Sequence, residues 1–219
     1  MKLSVIIVAA GSSQRMGFDK LLAKLAGKPV LQHSIEAFAG HPDVLDIIVV
    51  CPQDRFDALE IDHNKAMITR VDGGRDRHDS VAAGLSHLGS ATKLVAVHDG
   101  ARPLISRQQI NKVLNTAIEH NAATSARPVT ETIKRVSSDG IVTEAVSRDH
   151  LWLMETPQIF NVELLRKAYN KVQQNHERVT DEVSALELIQ CTTRVVANTQ
   201  PNPKITYPED IPLAEKMIS

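Results

Sequence analysis

Three polar segments of this chain carry side chains suited to phosphate chemistry, and each follows a short apolar run. The first, Gly11-Ser12-Ser13-Gln14-Arg15-Met16-Gly17-Phe18-Asp19-Lys20, leaves the run LSVIIVAA at 3–10. Glycine and small serines let backbone amides approach an anion closely, while Arg15 and Lys20 add fixed positive charge. Residues 1–28 hold Lys2, Arg15, Lys20, Lys24 and Lys28 against Asp19 alone, in a chain of formal net charge −1. The second segment, Asp72-Gly73-Gly74-Arg75-Asp76-Arg77-His78-Asp79-Ser80, opens a helical pattern, and Ser80 stands near its start. The third, His98-Asp99-Gly100-Ala101-Arg102-Pro103, follows LVAV. A carboxylate there suits a divalent cation or a hydroxyl-bearing substrate, and Arg102 suits a phosphate. No Gly-Lys-Ser/Thr completes a Walker loop, and Ser13 occupies the second glycine position of a dinucleotide fingerprint, so both standard phosphate motifs are absent. The competing reading of the first loop is an ordinary strand-to-helix turn with surface lysines. Three such loops on one sheet edge point to a phosphorylated ligand.

The elements that must position these loops follow from periodicity. LSVIIVAA, IIVVC (47–51), residues 66–71 and LVAV (94–97) read as strands buried on both faces. Between them lie helical stripes: Leu31, Ile35 and Phe38; Val81, Leu85 and Leu88; Ile110, Val113, Leu114, Ala117 and Ile118; and later Leu164, Leu165, Ala168, Tyr169 and Val172. Ser106-Arg107-Gln108-Gln109 reads as a capping box. Strand–helix alternation predicts an α/β fold with a parallel sheet covered on both faces, and ligands in such sheets bind beyond the carboxyl ends of the strands. TIKRV (132–136) and IVTEAV (141–146) flank Ser137-Ser138-Asp139-Gly140, a hairpin turn signal. Both strands carry charge, so they read as an antiparallel arm projecting from the main sheet. An isolated hairpin is marginal, so it is expected to pack on a second subunit; a solvent-facing edge hairpin is the alternative.

Composition narrows the classes. The 219 residues suit one large or two small domains, and 42% hydrophobic residues suffice for a core without staples. A net charge of −1 provides no global basic field for nucleic acid or anionic membrane, and 3% aromatics leave few platforms for stacking bases. Two cysteines cannot build a disulfide framework, and no apolar run approaches the roughly 20 residues needed to span a bilayer. The expectation is a soluble, cytoplasmic protein acting on small molecules.

AAGSSQRM (9–16) with Lys20, VDGGRDRHDSV (71–81), VHDGARP (97–103), ETIKR (131–135), SRDHLW (147–152), ETPQ (155–158), TDEVSALE (180–187) and KITYPEDI (204–211) occur in this order. The set resembles the 2-C-methyl-D-erythritol 4-phosphate cytidylyltransferases of the non-mevalonate isoprenoid pathway, across essentially the whole chain. That resemblance implies a single Rossmann-like nucleotidyltransferase domain over residues 1–219: a mostly parallel twisted sheet with helices on both faces and a β-arm at about 130–151 for dimerisation. It implies transfer of CMP from CTP to 2-C-methyl-D-erythritol 4-phosphate, with Mg²⁺ and a homodimer that swaps arms. By resemblance Ala9, Ala10 and Gly11 contact the triphosphate through their backbone, and Arg15 and Lys20 are its basic pair. Gly74, Arg77 and Ser80 surround the cytosine. Asp99 and Arg102 lie near substrate and metal, Asp99 being the candidate ligand. Thr132 and Arg148 reach from the arm into the neighbouring site, and Thr156 and Lys204 line that pocket. Three positions depart from the pattern: Ser13 for glycine, Asp19 for the proline before the lysine, and Pro201-Asn202-Pro203 before Lys204.

The chemistry expected is in-line attack of a phosphate monoester oxygen on the α-phosphorus of CTP. Such a phosphate has a second pKa of roughly 6 and needs no general base at neutral pH. Arg15, Lys20 and Lys204 are the catalytic candidates, with Lys20 the leading one for the transition state. A cytidylyltransferase for ribitol 5-phosphate and a non-catalytic nucleotide-binding protein on the same scaffold are the rival readings. His33, His41, His63, His87, His120 and His176 lack metal-ligand spacing, and His98 reads as a supporting hydrogen-bond partner. Cys51 reads as an inert buried thiol. Asp181 and Glu182 read either as acids at a helix start or as part of the site.

Overall fold

The computed structural model describes residues 2–12, 16–62 and 64–218. In chain order the elements are β1 (Leu3–Val8), β2 (Lys24–Leu25), β3 (Lys28–Pro29), α1 (Val30–Ala39), β4 (Val44–Val50), α2 (Gln53–Asp57), β5 (Met67–Val71), α3 (Arg77–Ser86), β6 (Leu94–Asp99), α4 (Arg107–His120), β7 (Ala122–Pro128), β8 (Ile133–Val136), β9 (Val142–Val146), β10 (Trp152–Asn161), α5 (Val162–Asn175), α6 (Glu182–Glu187), β11 (Arg194–Ala197) and α7 (Asp210–Ile218). Seven strands form one sheet in the order β11-β7-β10-β6-β1-β4-β5. The pairs β1–β4, β1–β6, β4–β5 and β11–β7 are parallel.

The interior strand β1, between β6 and β4, shows why the apolar runs had to be continuous. Leu3, Val5 and Ile7 enter one core with Leu31 and Phe38 of α1 and Ile110 and Val113 of α4. Ile6 enters the opposite core with Val81 of α3 and Leu165 and Tyr169 of α5. Side chains alternate between faces, so a strand covered on both sides cannot afford polar residues on either. Ser4, fully buried, is the exception, and its hydroxyl is paired with that of Thr92 at 2.8 Å.

The sheet departs from the expected pattern at β10, which runs antiparallel to both β6 and β7. Its sequence, WLMETPQIFN, carries Glu155 and Pro157 in the middle, which disguises it as a loop. Pairing with β7 shifts register between Met154 and Gln158. The irregularity frees Glu155 and Thr156 from the alternation and turns both into buried polar positions.

The hairpin signal corresponds to β8 and β9, a separate two-stranded sheet with Ile133 opposite Val146 and Arg135 opposite Glu144. Gly140 has φ +80° in its turn, the left-handed region that glycine occupies without cost. Val136, Ile141 and Val142 are each at least half exposed. The capping box at Ser106 is only half formed. Its hydroxyl accepts from the Gln109 amide, but the Gln109 side chain bonds Ser125 and the Val196 carbonyl instead of reaching back.

Helix α3 lies so close to the sheet that a Cβ at Gly84 would sit 2.7 Å from Cγ2 of Ile6. Glycine to alanine in a helix normally gains about 1 kcal/mol, whereas forcing a methyl into a filled core costs about 1–3 kcal/mol. Overpacking wins here, so Gly84→Ala is expected to lower the urea midpoint; an unchanged or higher midpoint would show that the helix can lift off β1 freely.

Candidate active site

The carboxyl ends of β1 and β6 and the loop that enters α3 frame a cleft of about 510 Å³. Ala9, Ala10, Gly11 and Ser12 form one wall, and Lys20 and Leu21 lie beyond them. Gly74 to Arg77 and Ser80 form a second wall; Asp99 and Ala101 form the floor; Lys204 and Thr206 close the side.

Asp99 is the centre of charge. Its Oδ1 accepts from Arg77 Nε at 3.3 Å and Nη2 at 3.2 Å, its Oδ2 accepts from Lys204 Nζ at 2.7 Å, and Arg102 Nε stands 3.7 Å from Oδ2. Burial alone would raise the Asp99 pKa, but Arg77, Lys204 and Arg102 hold it well below the usual carboxylate range. The aspartate is thereby ionised throughout the physiological range and ties together cations from three distant parts of the chain. Its backbone is fixed as well. The Asp99 amide donates to Thr156 Oγ1 at 3.0 Å, Thr156 Oγ1 lies 3.0 Å from His98 Nδ1, and His98 Nε2 lies 3.1 Å from the Arg102 carbonyl. A carbonyl only accepts, so Nε2 carries the proton and Nδ1 accepts from the threonine hydroxyl. His98 is the supporting residue its position suggested.

Behind Arg77 lies a second acid. Glu182, at the start of α6 and fully buried, accepts from Arg77 at 2.6 and 3.1 Å and from the Tyr169 hydroxyl at 3.0 Å. Burial opposes the Arg77 charge, yet Glu182 and Asp99 together keep the guanidinium pKa above its ordinary value. Of the two acids in this segment, Asp181 is the helix cap, accepting from the Ser184 amide, and Glu182 is the buried counter-ion. Nothing local in the sequence distinguishes those roles.

The two glycine loops touch. A Cβ on Gly73 would lie 2.3 Å from that of Ala10 and 2.9 Å from Ser80 Oγ, so only glycine permits this approach. Ser80 Oγ accepts from the Gly74 amide at 3.2 Å and thus braces the loop. Asp76 and Asp79 form a capping box at the start of α3. Carboxylates already occupy that helix end, and the cationic wall is the one leaving β1. There Lys20 Nζ donates to the carbonyl of Ile205 at 2.8 Å, which fixes Lys20 beside the segment carrying Lys204.

Residues 3–219 match the family model described as IspD, 2-C-methyl-D-erythritol 4-phosphate cytidylyltransferase. The chain belongs to this family. It is 41% identical to the 2-C-methyl-D-erythritol 4-phosphate cytidylyltransferase of Pseudoalteromonas atlantica, over 97% of this chain and 93% of that one. It is 38% identical to that of Pelotomaculum thermopropionicum, over 99% and 94%. The crystal structure of the Francisella tularensis enzyme superposes with a TM-score of 0.86 at 31% identity, covering 99% of this chain and 100% of the other.

Of the residues the cytidylyltransferase pattern singles out, Ala9, Ala10, Gly11, Lys20, Gly74, Arg77, Ser80, Asp99 and Lys204 line the cleft together. Arg15 lies outside the described residues. Arg102 and Thr156 sit behind the cleft wall: Arg102 donates to the carbonyls of Asn202 and Met154, and Thr156 serves the Asp99 backbone. Thr132 and Arg148 are exposed at the base of the arm, where Arg148 bonds the Thr130 carbonyl, and neither lines the cleft of its own chain. Asp99 does not suit the metal-ligand role expected for it, because a divalent ion there would compete with three fixed positive charges. Asp76, His78 and Asp79 bring ligand atoms within 4.8 Å of one another, but both carboxylates are engaged in capping and Asp76 also pairs with Arg178. Cys51 is buried, and desolvation pushes its thiol up to about 11, as an inert core thiol requires.

Burial lowers the His98 pKa to about 4 from an ordinary value of 6.5. The unfolded chain therefore takes up this proton across pH 6.5–4 while the folded chain refuses it. The corresponding stability is whole above pH 6.5 and drains away as the pH falls toward 4, by about 3 kcal/mol. The gap between the urea midpoints of wild type and His98→Gln should be constant above pH 6.5 and shift against wild type as the pH falls toward 4; parallel curves over that range would remove His98 from the acid response.

Proposed function

We propose that this chain transfers CMP from CTP to 2-C-methyl-D-erythritol 4-phosphate, giving 4-diphosphocytidyl-2-C-methyl-D-erythritol and pyrophosphate. The observation that carries the reading is the bond from Lys20 Nζ to the Ile205 carbonyl, which sets two ammonium-bearing segments, Lys20 and Lys204, on one cleft floored by Asp99. Family membership names the two substrates, and the charge layout supports the following places for them. The triphosphate takes the wall leaving β1, where amides of Ala10, Gly11 and Ser12 and the charge of Lys20 gather, with Arg15 in the same loop. The cytosine takes the side formed by Gly74, Arg77 and Ser80.

An oxygen of the acceptor phosphate, largely dianionic at neutral pH, forms the new bond to the α-phosphorus. The bond from that phosphorus to the bridging oxygen breaks, and the electron pair leaves with pyrophosphate. No proton moves in the step, which fits a cleft whose central acid is already ionised. The protein's work is to hold two polyanions in line and to stabilise charge on the equatorial oxygens. When bound, Mg²⁺ would supply further neutralisation of phosphate charge beside that of Lys20 and Lys204.

The acceptor phosphate is assigned to Lys204 and to Thr132 and Arg148 from the arm of a second subunit. Exposure of Val136, Ile141 and Val142 on the hairpin supports a homodimer built on that arm. Arg102 and Thr156 then act on the substrate indirectly, through Asp99. Two free cysteines suit the reducing cytoplasm.

Pyrophosphate release from CTP and Mg²⁺, measured against a panel of polyol phosphates, is expected with methylerythritol phosphate; release with ribitol 5-phosphate alone would overturn the acceptor assignment. Lys20→Ala should lower kcat by about 10²–10³ with the fold intact, and near wild-type turnover at saturating CTP would take Lys20 out of the mechanism. Arg148→Ala should raise KM for the sugar phosphate chiefly, and an unchanged KM would argue against the arm entering the pocket.

A further inference from the structure

Beneath the cationic wall lies an arginine that sequence spacing did not single out. Arg55 belongs to α2, the short helix that follows β4, and is only 6% exposed. Its guanidinium bonds three acceptors, all on the segment that leaves β1. One Nη donates to the Ala9 carbonyl, the other to the Gly11 carbonyl at 3.2 Å, and Nε donates to Asp19 Oδ2 at 2.8 Å. We propose that Arg55 is a positioning residue for the triphosphate, a clamp that sets the backbone amides of the first loop and cancels the charge of Asp19. The proposal rests on the assignment of that loop to the triphosphate of CTP.

The argument is geometric. In a trans peptide the carbonyl and the following N–H point to opposite sides of the chain. Pulling the carbonyls of Ala9 and Gly11 onto Arg55 therefore turns the N–H groups of Ala10 and Ser12 away from it, and both residues line the cleft on the other side. A planar guanidinium with five donors in a fixed fork can hold two carbonyls and a carboxylate at once; an ammonium cannot match that geometry. The third bond bears on electrostatics. Asp19 immediately precedes Lys20, so an unpaired Asp19 would set a negative charge beside the cation that serves the triphosphate. Its Oδ1 accepts from the Leu21 amide at 3.0 Å and its Oδ2 is neutralised by Arg55. The same pair thus fixes the stretch of chain from which Lys20 extends. Arg55 itself does not line the cleft, so its effect is transmitted through the loop.

The test compares wild type, Arg55→Met, Arg55→Lys and the double variant Arg55→Met/Asp19→Asn. CTP binding is measured by calorimetry, with steady-state KM for each substrate. Arg55→Met is expected to weaken CTP binding and raise its KM at least tenfold, while the KM for methylerythritol phosphate stays within twofold. Arg55→Lys should be impaired in the same sense, and neutralising the stranded acid in Arg55→Met/Asp19→Asn should recover part of the loss. A CTP KM unchanged in a folded Arg55→Met protein overturns the clamp, as does an equal rise in both KM values, which marks a general structural role. Should Arg55→Met fail to fold, Arg55→Lys decides, and wild-type CTP affinity in that variant overturns the clamp. Wild-type protein that binds no CTP would instead sink the functional reading on which the clamp rests.

Discussion

A buried carboxylate among cations is the constraint on which the rest of the site depends. Asp99 sits at the end of β6 with Arg77, Lys204 and Arg102 around it. Isolated, a charge at that depth would be strongly disfavoured; partnered, it stays ionised and cements its partners. The attraction does not create the cleft, since hydrophobic packing of α1, α3, α4 and α5 on the sheet does that. It decides where the positive charges stand within it. Glu182 extends the arrangement outward, so that Arg77 is gripped from two sides and presents a fixed face to the cavity. A cleft assembled this way needs little reorganisation when a ligand arrives.

Much of the fold was readable because its signals are local. Continuous β-branched runs, helical stripes and one Asp-Gly turn correspond to β1, β4, β5, β6, the main helices and the arm. What escaped were β7, β11 and β10, the last because its glutamate and proline break the pattern. The partners of β10 supply the hydrogen bonds and the core contacts that the strand's own sequence does not advertise. The capping box at Ser106 failed for the complementary reason: Gln109 meets the requirements of the motif, but buried Ser125 and the Val196 carbonyl offer it better-placed partners. Tertiary contact overrode local preference in both cases.

The site divides along the same line. Loops that leave strand ends announce themselves through glycine and charge within ten residues, so Lys20, Gly74, Ser80 and Asp99 were legible. Arg55 and Tyr169 were not, because each belongs to an ordinary-looking helix and acquires its meaning from contacts made far along the chain. Glu182 was ambiguous beside Asp181, and only burial separates the two. Arg102 and Thr156 were recognised as belonging to the region, but spacing could not reveal that they stand behind the cleft instead of on it.

The chain order of these contacts bears on biosynthesis. Asp99 waits for Lys204, and Arg77 for Glu182, each 105 residues downstream. At ribosomal rates of about 5–20 residues per second, that is an interval of about 5–20 s during which the acid at the end of β6 is already made but lacks Lys204, and Arg77 lacks its second acid. The nascent N-terminal half therefore carries Asp99 with Arg77 and Arg102 but without Lys204, and completion of the sheet by β10 and β11 falls in the same window. Ribosome stalling before residue 152 would strand a polypeptide in which β6 pairs with β1 but its other edge lacks β10, a natural client for chaperones.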